Sequence, residues 1–115
     1  MIQIYLSKNN FDAQKAQRFF KERRIPVQVM DLKKHKLGQR ELELFARCAG
    51  GAANLVDKDD KKAKDSAVCY NTLESYILEE LLAHPAYLKS PIVRNGQKVT
   101  IGLALETWES WLARG

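Results

Sequence analysis

The segment SPIVRNGQKVTIGLALETWESWL, residues 90–112, decides how the rest of the chain is read. Asn95-Gly96 lies between two runs of strand formers, the strongest short-range hairpin signal in the sequence. It predicts antiparallel strands over 91–94 and 97–101, joined by a type I′ turn, with Gly102 ending the second. LETWESWL (105–112) then places Leu105, Trp108 and Leu112 on one helical face with Trp111 adjacent, a packing role rather than a ligand platform. The C-terminal part therefore reads β-β-α.

At the other end, IQIYL (2–6) reads as a buried strand. Asn9 or Asn10 can cap a helix running from Phe11 to Arg23, with Phe11, Ala16, Phe19 and Phe20 at helical spacings. Ile25-Pro26 stops that helix, and VQVMDL (27–32) alternates as a second strand. A strand–helix–strand unit makes its two strands parallel through a right-handed crossover.

Between the two ends, KKHK (33–36) is a basic linker, and GQRELELFARCAGG (38–51) is a helix closed by Gly50-Gly51. The charged stretch NLVDKDDKKAKDSAV (54–68) reads as loop or short helical turns. Asn71 and Glu74 form the pattern of a capping box for TLESYILEELLAH (72–84), which Pro85 ends. Leu73, Ile77 and Leu81 give that helix an apolar face. The expectation is one α/β domain over residues 1–115 with a thioredoxin-like layout. Its core is β-α-β followed by β-β-α on a mixed four-stranded sheet, with a helical insertion over 36–84.

Composition narrows the class. The 115 residues are 45% apolar and 29% charged, ordinary for a globular chain that needs no staple. No apolar run reaches the roughly 20 residues of a membrane span, and MIQIYLSKNN lacks the features of a signal peptide, so a cytoplasmic protein away from membranes is expected. Cys48 and Cys69 are not in a C-x-x-C pair, and His35 and His84 are isolated, so no metal site and no cofactor is expected. Both cysteines read as buried or semi-buried free thiols, and both histidines as surface or loop residues. The net charge of +5 is uneven: residues 1–37 carry nine Lys/Arg against three Asp/Glu. Such a basic third suits an acidic partner, an anion or simple solvation. Without a helix-turn-helix pattern or interleaved aromatics, direct nucleic-acid binding is not expected.

Taken in order, the pieces resemble a known family. IYLSKNNFDAQKA, VQVMDLKK, NLVDK and LLAHPAYLKSPIVRNGQKVTIGLALETWESWL are together similar to the arsenate reductase-like ArsC/Spx family, over essentially the whole chain. The resemblance implies a thioredoxin/glutaredoxin-like fold with a cis proline, here Pro91, facing the first loop. It also implies a nucleophilic cysteine at the end of that loop, often within C-x-x-C. Aligning Lys15-Ala16 on the family's helix start puts the two thiols at Asn10 and Ala13, and both are absent. The Arg that tends to precede the proline is Ser90. The middle segment is acidic at Asp57, Asp59 and Asp60, where arsenate would be repelled.

An amide has no thiolate and no redox couple. The expectation is therefore a degenerate active site in a non-catalytic binding or regulatory protein. The resemblance supplies two partner types: the RNA polymerase α C-terminal domain, bound by Spx-type relatives, or a nitrogenase-related component. Lys15, Arg18, Lys21, Arg23 and Arg24, with Lys8, are the candidate partner face. A second expectation is non-covalent binding of an anion or glutathione by Lys8, Asn9, Asn10, Lys15, Ser90 and Pro91, against plain helix capping. The alternative is an arsenate reductase or glutaredoxin-like oxidoreductase that uses the displaced thiols Cys48 and Cys69.

Overall fold

In the computed structural model, which describes residues 2–66, 68 and 73–113, the strands are β1 (Ile2–Leu6), β2 (Val27–Asp31), β3 (Ile92–Asn95) and β4 (Lys98–Ile101). They form one mixed sheet in the order β2-β1-β3-β4, with β1 parallel to β2 and antiparallel to β3. Helices α1 (Phe11–Glu22) and α5 (Leu105–Leu112) belong to the outer β-α-β and β-β-α units, and α2 (Gln39–Ala49), α3 (Lys61–Lys64) and α4 (Glu74–Ala83) fall between β2 and β3. The thioredoxin-like order expected from the sequence is present.

Two cores sit on opposite faces of the sheet, because side chains alternate across a strand. Ile2, Ile4, Leu6 and Val93 pack with Ala13, Ala16, Phe19 and Phe20 of α1 and with Trp108 of α5. Tyr5 and Ile92 turn the other way, onto Leu42 and Phe45 of α2, Leu55, and Ile77 and Leu81 of α4. The central strand β1 is thus buried on both faces, which is why it reads as a continuous apolar run.

Several local expectations change. Phe11, expected on the apolar face of α1, is 80% exposed, and Ala13 takes the buried position. Leu73 and Leu105 are exposed too, so the apolar faces of α4 and α5 are narrower than their spacing implies. The hairpin strands start and end one residue later than expected at three of their four limits, with Asn95 opposite Lys98. Gly96 has φ +65° while neither Asn95 nor Gln97 has positive φ, which is the sign pattern of a type II′ turn rather than I′. The difference is where the glycine falls: at the first central position it selects II′. Asn71 of the expected capping box lies outside the described residues. The Glu74 carboxylate instead accepts the Ala52 N–H at 2.7 and 3.0 Å, fixing the turn after α2.

The end of α1 breaks a local rule. Ile25 N–H bonds Phe20 O at 2.9 Å and Arg24 N–H bonds Lys21 O at 3.0 Å, a Schellman closure with Arg24 at φ +56°. A side chain there costs about 1–2 kcal/mol. Arg24→Gly is expected to stabilise the fold by about 0.5–1 kcal/mol, part of the relief being lost to the looser unfolded chain. A urea titration should show the midpoint rising with unchanged slope.

Candidate functional site: the elbow between the first strand and the first helix

Three segments meet at the C-terminal end of β1. The first is the elbow itself, Ser7 to Asn10. The second is residues 88–91, entering β3. The third is residues 55–60, held beside the second by a bridge between Val56 and Leu88 and by Asp57 N–H to Tyr87 O at 2.8 Å.

Hydrogen bonds close this junction. Asn10 is the N-cap of α1: its Oδ1 accepts the Ala13 N–H at 2.8 Å. Its Nδ2 donates to Ser90 O at 2.9 Å, across to the residue before the cis Ser90–Pro91 bond. Ser90 Oγ donates back to Lys8 O at 2.6 Å, and Ser7 Oγ donates to Leu88 O at 2.7 Å. Ser7 and Ser90 are both buried, so these bonds satisfy groups that water cannot reach.

Lys8 is likewise committed. Its Nζ lies 2.8 Å from Asp57 Oδ2 and 3.0 Å from Asp60 Oδ1. Asp60 uses its other oxygen to cap α3 through the Ala63 N–H at 3.1 Å. Burial would lower the Lys8 pKa, but the two carboxylates outweigh it and hold it above the usual lysine range. Burial would raise Asp60; the Lys8 ammonium and the Ala63 N–H win and hold it below the usual range. Tyr5, buried behind the elbow strand and donating to Glu41 at 2.8 Å, is pushed up to about 12, first by burial and then by that carboxylate.

These shifts fix a pH profile. Asp60, lowered from 3.8, contributes stability that is present above that value and lost as pH falls through the folded one. Lys8 and Tyr5, raised from 10.5 and 10.0, contribute stability present below those values and lost as pH rises. Thermal melts are expected to show a plateau that falls away below about pH 4 and above about pH 10. Lys8→Met should flatten the acid limb, because Asp60 then loses the partner that lowered it.

Of the residues singled out in the sequence, Lys8, Asn10, Ser90 and Pro91 come together here, and Ala13 supplies the capped N–H. Asn9 is exposed at the rim, and its carbonyl accepts only a long 3.5 Å contact from Gln14. Lys15 lies exposed on α1 outside this network, as do Arg18, Lys21 and Arg24. Arg23 is folded down, its guanidinium carbon 3.8 Å from the Phe19 ring centre and its Nη2 3.5 Å from Glu109. What the sequence reading missed is that Asp57 and Asp60 answer Lys8. The signal available was Asp60 as an N-cap ahead of KKAK.

Cys48, expected buried or semi-buried, is exposed, with Sγ 3.5 Å from Gln97 O in the β3–β4 turn. Gln97 follows Asn95, which pairs with Ile2 at the start of β1, whereas the elbow follows Leu6 at its end. Cys48 therefore sits at the opposite end of the sheet from Asn10. Cys69 lies outside the described residues. Among the described residues no group of His, Cys, Asp and Glu is arranged to hold a metal.

Fold and elbow together define a thioredoxin-like α/β protein whose first strand–helix elbow faces a cis proline and presents an amide at the helix start. The chain belongs to the ArsC family, whose model matches residues 5–111. Solved structures agree at the level of fold. A candidate arsenate reductase from Yersinia pestis has TM-score 0.82 at 18% identity, over 96% of this chain and 99% of that one. An arsenate reductase from Vibrio cholerae has TM-score 0.81 at 15% identity, over 95% of each chain. An arsenate reductase (ArsC) related protein from Brucella melitensis has TM-score 0.71 at 22% identity, over 96% and 93%. No curated protein matches the chain. Among the described residues no helix is long and apolar enough to cross a membrane.

Proposed function

We propose that this chain is a non-catalytic member of the ArsC family that acts by binding a protein partner. One observation carries the reading. The position that the family resemblance assigns to the nucleophile is Asn10, and both ends of its amide are engaged in holding the fold. Without a sulfur there is neither a thiolate to attack an oxyanion nor a disulfide to cycle. The nearby charges support the same reading. Lys8 is neutralised by Asp57 and Asp60, and Ser90 stands where the family tends to have arginine. An anion or glutathione approaching the elbow would meet a cap already filled.

The names of the structural neighbours bring arsenate reduction in as the competing reading. The displaced thiol Cys48 offers it little support, being at the far end of the sheet. The exposed cations Lys15, Arg18, Lys21 and Arg24, with Arg23 at the helix end, are the candidate contact surface. The partner types to try are the RNA polymerase α C-terminal domain and a nitrogenase-related component.

The decisive test is glutathione- and glutaredoxin-coupled arsenate reduction by the purified chain. The expected rate equals the protein-free blank, and turnover above it would overturn the proposal. Titration with the purified polymerase α C-terminal domain tests the surface: Lys15→Glu/Arg18→Glu should weaken binding about tenfold. Equal affinity would remove the α1 face from the contact.

A further inference from the structure

Strand β2 is an edge strand: it pairs with β1 on one side and with no described strand on the other. Its pairing direction can be read residue by residue. Leu32 N–H bonds Leu6 O at 2.9 Å, immediately beyond the pair Leu6–Asp31. Backbone groups of alternate residues point to opposite sides of a strand. Gln28 and Met30 therefore face β1, and Val27, Val29 and Asp31 turn their N–H and C=O groups to the open edge. The Asp31 carbonyl is used by the N–H groups of Lys34 and His35, at 2.9 Å each. Among the described residues, two full donor–acceptor pairs remain without a partner, at Val27 and Val29.

Open edges are commonly blunted by a proline, a bulge or an inward charge. Here β2 keeps an unbroken five-residue register with β1, and Val29 is 41% exposed. Pro26 stands just before the strand, but the same alternation puts its backbone on the β1 side, so along the open edge charge is the guard, and it has a sign. From Lys21 to Leu37 there are six cationic side chains against two carboxylates, with Arg24 at the entrance to β2 and Lys33 and Lys34 at its exit. The Asp31 carboxylate turns onto the Lys33 N–H at 3.0 Å. Two copies paired edge to edge would set cations against cations, so a second copy is disfavoured. A cavity of about 250 Å³ beside Val29 is lined also by Asp31, Lys33, Gln17 and the elbow. It can take a side chain from an added strand; Asp31 and Lys33 both line it, so the preference for an acidic segment comes from the cations flanking the strand and not from the cavity.

We infer that the free edge of β2 is a docking site for an acidic, extended segment of a protein partner, added as a fifth strand. The inference rests on the reading of this chain as a binding protein, and it names the surface and the partner's chemistry. Backbone bonds at Val27 and Val29 supply the pairing, and the flanking cations select the sign.

The probe is a short synthetic peptide of alternating valine and glutamate, titrated into isotope-labelled protein. Amide shifts are expected over residues 27–34, with slowed hydrogen exchange at Val27 and Val29 and little change at Gln28 and Met30. Val29→Pro removes one outward N–H without touching the β1 ladder and should weaken binding about tenfold. Lys33→Glu/Lys34→Glu, on exposed side chains outside the strand, should weaken it similarly and remove most of its salt dependence. A valine–lysine peptide should not bind. The inference is overturned by absence of shifts in β2, by equal binding of the lysine peptide, or by unchanged binding in both variants. It is also overturned if inorganic polyphosphate reproduces the shifts and the slowed exchange, which would make the patch a charge sink only. Arsenate turnover leaves these readouts unmoved, so the two readings fail separately.

Discussion

Trp108→Ala is expected to destabilise the protein by about 3–5 kcal/mol, the largest effect expected of any single truncation in α5. The indole is fully buried, 5.5 Å from the Phe19 ring and 5.3 Å from the Phe20 ring, centre to centre. Its Nε1 donates to Thr100 Oγ1 at 2.8 Å, so it joins α5 both to α1 and to β4. In α5 it is the one fully buried side chain among the described residues; Trp111 and Leu112 are only half-buried. Truncation therefore opens a cavity and removes the anchor of the whole helix at once. Urea denaturation followed by far-ultraviolet circular dichroism measures the loss. Trp108→Phe separates the causes: it keeps most of the ring volume and gives up the hydrogen bond, so a loss of about 1–2 kcal/mol is expected. If the two variants proved equally unstable, the hydrogen bond rather than packing would be the main source of the stability. The consequence reaches the elbow because Phe19 and Phe20 lie on the helix that Asn10 caps.

How much of this is legible in the sequence depends on whether the signal is local. The two outer units are readable because their patterns close within about 30 residues. Asn95-Gly96 marks the hairpin, and the two β-strands around α1 carry their own periodicity. The turn type escapes the sequence because the dipeptide does not say which residue takes the first central position. Phe11 escapes it because spacing on a helix does not reveal where the sheet ends, and Phe11 stands at the first turn, beyond it. Cys48 escapes for a similar reason: its burial depends on a hairpin 49 positions away in sequence. The elbow divides the same way. Asn10 as a cap follows from residue type and position. The ion pair of Lys8 with Asp57 and Asp60 spans about fifty residues and depends on the 55–57 segment lying along 87–89, which no short-range pattern encodes.

Asn10→Cys tests whether the elbow keeps the physics of a thiolate site after losing its sulfur. The substituted thiol would sit at the start of a twelve-residue helix, beside the Ala13 N–H that the Asn10 side chain no longer fills. That position lowers a cysteine pKa from its ordinary value of about 8.5. Alkylation by iodoacetamide, followed by peptide mapping across pH, is therefore expected to show residue 10 reacting at lower pH than a cysteine in an unstructured reference peptide. A residue 10 profile no lower than that of the reference peptide would mean the helix start does not favour the anion. The exchange should also cost about 1–2 kcal/mol, since sulfur is a poor acceptor for the Ala13 N–H and cannot donate to Ser90 O as the amide does. Arsenate reduction is still not expected from this single change, because Lys8 remains paired with Asp57 and Asp60. Adding Asp57→Asn and Asp60→Asn frees the ammonium, which lies two positions before the new thiol, and should lower the residue 10 profile further. Arsenate turnover by Asn10→Cys alone would show that the carboxylates do not close the site. A further drop only after their removal would show that the elbow is shut twice, once by the missing sulfur and once by the chain's own acids.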